Sequence, residues 1–116
     1  MSDCADEPLR ALSEAVGQAL GRRGWRLSCA ESCTGGQVAA VVTETAGSSA
    51  WFDRGFVTYS NESKQEMLGV PAGVIGQQGA VSEETVRAMA SGALARSRAQ
   101  VSLAVSGIAG PGGATP

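Results

Sequence analysis

Residues 30–36 read AESCTGG, and this stretch restricts the fold more tightly than any other in the chain. Trp25, Leu27 and Cys29 alternate with Arg26 and Ser28, the pattern of a short strand, and the chain then breaks at two glycines into a helix-forming segment. The spacing predicts a strand over 25–29 and a helix over 34–45. A carboxylate, a hydroxyl and a thiol are thereby delivered to one strand-to-helix junction.

Upstream, Pro8 suits a first helical turn, and Leu9, Leu12, Val16 and Leu20 follow at helical spacing, predicting a helix that ends within 22–24. Downstream, Phe56, Val57, Thr58 and Tyr59 predict a second strand. Ser60 or Asn61 then caps a short helix carrying Lys64, Met67 and Leu68, which Gly69, Val70 and Pro71 end. Residues 72–80 are glycine-rich and stay unassigned. Ser82 with Glu83 and Glu84 starts a helix to about residue 96, and 101–106 is a third strand before the loop GIAGPGG at 107–113. Strands alternating with helices predict an α/β sheet covered on both faces, whose ligands gather beyond the carboxyl ends of the strands. Three loops should meet there: AESCTGG, YSNESK and SGIAGPGG.

At 116 residues and 43% apolar content the chain suits one domain, 1–116. A net charge of −2 with scattered arginines points away from a nucleic-acid partner. No run approaches the roughly 18 apolar residues of a membrane span. The acidic start and the odd count of three cysteines, Cys4, Cys29 and Cys33, predict a reduced, cytoplasmic protein without a leader.

There is no histidine, so a serine nucleophile would need an amine, a carboxylate or a metal-bound hydroxide as its base. Ser32 precedes a helix whose first amides, at Thr34, Gly35 and Gly36, can stabilise an oxyanion; equally, Ser32 or Thr34 fits a simple N-cap. Lys64 is the only lysine, and it becomes a base only if burial drives its pKa from about 10.4 towards 7, a penalty of ~4–5 kcal/mol on the ammonium. Tyr59, the single tyrosine, is placed to hydrogen-bond that amine and help position it; the plainer readings are an exposed surface lysine and a packed tyrosine. Cys33 is a rival nucleophile, because a thiol at a helix N-terminus is readily ionised. Cys29 reads as core, and the ligand set predicts no metal. Glu31 fits either an orienting role or a cap. The loop beginning at Ser106 offers amide donors to an anion, but a Walker lysine and GxGxxG are both missing, which disfavours a triphosphatase or a dinucleotide dehydrogenase.

Taken together, AESCTGG, AGSSAWFDRGFVTYSNESK, GAVSEE and VSGIAGPGG resemble the nicotinamide-nucleotide amidohydrolase (NMN deamidase) family, the CinA C-terminal domain group, from residue 9 onward. The resemblance implies a three-layer α/β/α sandwich around a mixed sheet. It further implies hydrolysis of the carboxamide of nicotinamide mononucleotide to nicotinate mononucleotide and ammonia, without a cofactor. Ser32 would be the nucleophile, Lys64 the base and Tyr59 its assistant. Substrate contacts are expected at Glu31, Cys33, Thr34, Gly35 and Gly36, and at Ser106, Gly107, Ile108, Ala109 and Gly110. The expected partners are this small nucleotide and further copies of the chain in a homo-oligomer. Family members continue through further strands and a terminal helix, so the chain reads as a C-terminally short copy. The competing expectation is an inactive ligand-binding or oligomerising remnant of the same fold.

Overall fold

Asp6 accepts a hydrogen bond from the Leu9 amide and starts helix α1, Glu7–Arg23, which Gly24 closes in the left-handed conformation. The computed structural model describes residues 6–107. After α1 come β1 (Leu27–Glu31), α2 (Gln37–Glu44), a single 3-10 turn (Ser48–Ala50), β2 (Phe52–Val57), α3 (Asn61–Leu68), α4 (Ala72–Gln78), α5 (Glu83–Ala95) and β3 (Val101–Val105).

The described strands form one sheet in the order β2-β1-β3, and both pairings are parallel. The mixed sheet implied by the family resemblance is therefore represented among the described residues by its parallel part alone. Central position explains why all five residues of β1 are buried. On one face Leu20 of α1, Leu27, Val42 of α2 and Trp51 form a core. On the other, Ala30 packs with Leu68 of α3, Val70, Ile75 of α4, and Met89 and Ala93 of α5. Helices thus cover both faces, as the alternation of elements predicts.

Four local expectations shift. The first strand begins at Leu27, leaving Trp25 39% exposed before it. Helix α2 begins at Gln37 because Gly35 and Gly36 take φ of +61° and +108°, a left-handed turn that delays the helix past 34. Strand β2 lies at 52–57, so Thr58 and Tyr59 fall just beyond it. The unassigned piece contains α4, capped by Pro71 and anchored by buried Ile75. Helices α3 and α5 cross so closely that a Cβ at Gly92 would collide with the Leu68 carbonyl oxygen.

Candidate active site

Two main-chain bonds draw the carboxyl ends of the strands together: the Ser32 amide donates to the Val105 carbonyl (3.1 Å) and the Thr58 amide to the Glu31 carbonyl (2.8 Å). The strand order reverses direction of winding at β1, and the crevice between the ends of β1 and β3 is where doubly wound sheets bind ligands. Ser32, one residue past β1, stands in that region.

Lys64 reaches it from α3. The Ser60 hydroxyl accepts from the Ser63 amide (3.0 Å) and the Ser60 carbonyl from the Lys64 amide (3.1 Å), so the helix is fixed one turn before the lysine. Its side chain is 1% exposed. The amine lies 3.0 Å from Ser32 Oγ and donates to the carbonyls of Thr58 and Tyr59, each at 3.1 Å. Burial holds this amine below the ordinary lysine pKa, against the opposing influence of the neighbouring Cys33 sulfur. As a neutral amine it keeps two N–H donors for the two carbonyls and one lone pair for the Ser32 O–H. With the third proton in place the amine donates to Ser32 Oγ as well, and the Ser32 hydroxyl donates to the Tyr59 carbonyl (3.5 Å).

Tyr59 differs from expectation. The residue is 78% exposed, and its contribution to the amine is the main-chain carbonyl, not the phenol. Glu31, fully buried, turns to α2: it accepts from Thr34 Oγ1 (2.6 Å) and from the amides of Gly36 (3.2 Å), Val38 (2.9 Å) and Ala39 (2.9 Å). Burial is the largest single influence on its carboxyl and pushes it up, but the Thr34, Ala39, Val38 and Gly36 bonds together hold it below the ordinary value. Glu31 therefore caps the start of α2, and its carboxylate is engaged by that turn.

This changes the expected oxyanion donors. The Gly36 amide is taken by Glu31, and the Gly35 amide donates to the Ser32 carbonyl (3.4 Å). Among the described residues the amides left without a partner in this turn are those of Cys33 and Thr34. Cys33 is half-buried, and its sulfur sits 3.7 Å from the point a Cβ on Gly107 would occupy, so the loop after β3 comes to the same place. The Ser106 hydroxyl donates to the Ala80 carbonyl (2.9 Å), tying that loop to the α4–α5 connection. Ile108, Ala109 and Gly110 lie outside the described residues. Cys29, pushed up to about 12 by burial and by the Glu31 charge, is an inert core thiol. Among the described residues no group of three or more His, Cys, Asp or Glu is arranged to hold a metal ion, and no helix is long and apolar enough to cross a membrane.

Main-chain acceptors were the part sequence reasoning missed. The Thr58 carbonyl and the Val105 carbonyl carry no residue-type signal, and only the strand boundaries could have indicated them.

Residues 9–116 match the CinA C-terminal domain family. The chain is 59% identical over 108 residues to the nicotinamide-nucleotide amidohydrolase PncC of Escherichia coli (strain K12), covering 93% of this chain and 66% of that protein. It is 50% identical over 110 residues to the PncC of Pseudomonas putida, covering 95% and 69%. The crystal structure of the competence/damage inducible protein CihA from Agrobacterium tumefaciens superposes with a TM-score of 0.92 at 49% identity, over 95% of this chain and 67% of that one. The chain thus spans about two thirds of the length of these relatives.

Proposed function

The chain belongs to the CinA C-terminal domain family, and from that premise we propose that it hydrolyses the carboxamide of nicotinamide mononucleotide, with Ser32 as nucleophile and Lys64 as general base. The 3.0 Å contact between the Ser32 hydroxyl and a buried amine whose pKa burial lowers carries this reading.

Lys64 takes the Ser32 proton as Oγ bonds to the carboxamide carbon, and the C=O electrons move onto oxygen. The Cys33 and Thr34 amides are the donors available to that oxyanion. Lys64 then gives its proton to the nitrogen, the C–N bond breaks and ammonia leaves, with Ser32 acylated as an ester. Water, deprotonated by the same amine, attacks the ester, and Ser32 departs with the returned proton to release nicotinate mononucleotide. Because Glu31 already occupies the Gly36, Val38 and Ala39 amides, these are not the donors offered to the nucleotide's phosphate.

Ammonia release from nicotinamide mononucleotide tests the reading. Ser32→Ala is expected to lower kcat/KM by at least ~10³-fold. Binding of the nucleotide without ammonia release by the unaltered chain would instead support a ligand-binding module. Turnover that survives Ser32→Ala but not Cys33→Ala would move the nucleophile to the thiol.

A further inference from the structure

Glu31 stands beside Ser32 in sequence, yet the hydrogen bonds of its carboxylate all go to the segment from Thr34 to Ala39 and to Cys29. One oxygen, Oε1, takes the Thr34 hydroxyl and the Gly36 and Val38 amides; the other, Oε2, takes the Ala39 amide, with Cys29 Sγ at 3.9 Å. That segment has little shape of its own, because Gly35 and Gly36 both sit at positive φ and the N-cap residue Gly36 has no side chain to cap with. What fixes it is a carboxylate anchored in the central strand, spanning the turn from outside. The pattern of occupied donors follows: Gly35, Gly36, Val38 and Ala39 are all bonded, and among the described residues the open amides of this turn are the two that directly follow the proposed nucleophile.

Resting on the amidase reading above, we propose that the Glu31 carboxylate is a positioning residue for the reaction: it holds the turn after Ser32 in the shape that reserves the Cys33 and Thr34 amides for the oxyanion. It touches neither the substrate nor the serine hydroxyl. Its effect belongs to the transition state, since the oxyanion forms after the carboxamide is bound, and a loosened turn therefore slows chemistry more than it weakens binding.

Glu31→Gln keeps the size of the side chain but sets an N–H₂ against one of the amides now accepted, while Glu31→Asp keeps the charge on a shorter stem. Both variants and the parent would be assayed for kcat and KM with nicotinamide mononucleotide, each rate being normalised to the Ser32 labelled by a sulfonyl fluoride, so that unfolded protein drops out of the comparison. Affinity for pyridine-3-boronic acid, which forms a tetrahedral adduct on a nucleophilic serine, would be measured alongside. In Glu31→Gln, kcat per labelled serine should fall about 10- to 100-fold while KM changes less than about threefold. The boronate affinity should fall by the same factor as kcat/KM, and Glu31→Asp should lie between. A part that only stabilised the fold would lower the labelled fraction and leave the rate per labelled serine unchanged. That result, in an active parent, overturns this proposal alone. A parent that neither releases ammonia nor takes up the label overturns the amidase reading and this proposal with it.

Discussion

In the proposed reaction, Lys64 is the residue on which the chemistry turns. A side chain 1% exposed, with two carbonyls and one hydroxyl around its nitrogen, is fully bonded whether or not it carries the third proton. The environment therefore decides its charge through burial, which disfavours the ammonium. Since the proposed mechanism uses the neutral amine as its base, kcat/KM should rise with pH through a midpoint below the ordinary lysine value of 10.5, and a pH–rate profile checks this. Lys64→Arg retains the cation but cannot lose its proton, so it should be as inactive as Ser32→Ala in the ammonia assay. The pairing of Ser32 with Lys64 was legible because the chain has no histidine and a single lysine, which left few candidates for a base. The Tyr59 phenol was misread for a physical reason: the acceptor at that position is a main-chain carbonyl, which any residue would supply.

Helices decide where those groups stand, and two of them are held by contacts a single substitution can remove. Glu31 closes the N-terminus of α2, and its carboxyl titrates below its ordinary value of 4.5 in the folded chain. A folded value below the unfolded one means a stabilising contribution that is present above about pH 4.5 and is lost as pH falls through the depressed value. Urea midpoints of the parent should accordingly fall below about pH 4.5, and those of Glu31→Gln should fall less steeply over the same window. Gly92, where α5 crosses α3 at the Leu68 carbonyl, leaves no room for a methyl group. Gly92→Ala should cost ~1–3 kcal/mol in urea unfolding and, because α3 carries Lys64, lower kcat as well. Helical spacing revealed α1, α3 and α5 within a residue or two. It misplaced the start of α2, where two glycines postpone a helix whose apolar pattern begins earlier, and it missed α4, whose glycines at 73 and 76 argue against a helix that Pro71 and Ile75 nonetheless support.

For the molecule as a whole, one sheet separates two cores, and the site lies where the sheet's carboxyl ends are tied together. Leu68 lies in one core and Val42 in the other, so their truncations should act independently. Leu68→Ala should cost ~2–5 kcal/mol, and combining it with Val42→Ala should add within ~0.5 kcal/mol in a double-mutant cycle read by urea unfolding. The alternation of strands and helices made the covered sheet legible in advance. The order β2-β1-β3 was not, because it depends on which edge of β1 each crossover returns to, and local sequence does not encode that choice. The proposed reaction, shared between a serine after β1 and an amine from α3, would leave a chemical trace at one atom. Rapid acid quench of the protein with nicotinamide mononucleotide, followed by peptide mass spectrometry, should find the nicotinoyl nucleotide as an ester on Ser32. Acylation of Cys33 instead, or steady ammonia release with Ser32 unmodified throughout, would contradict the account.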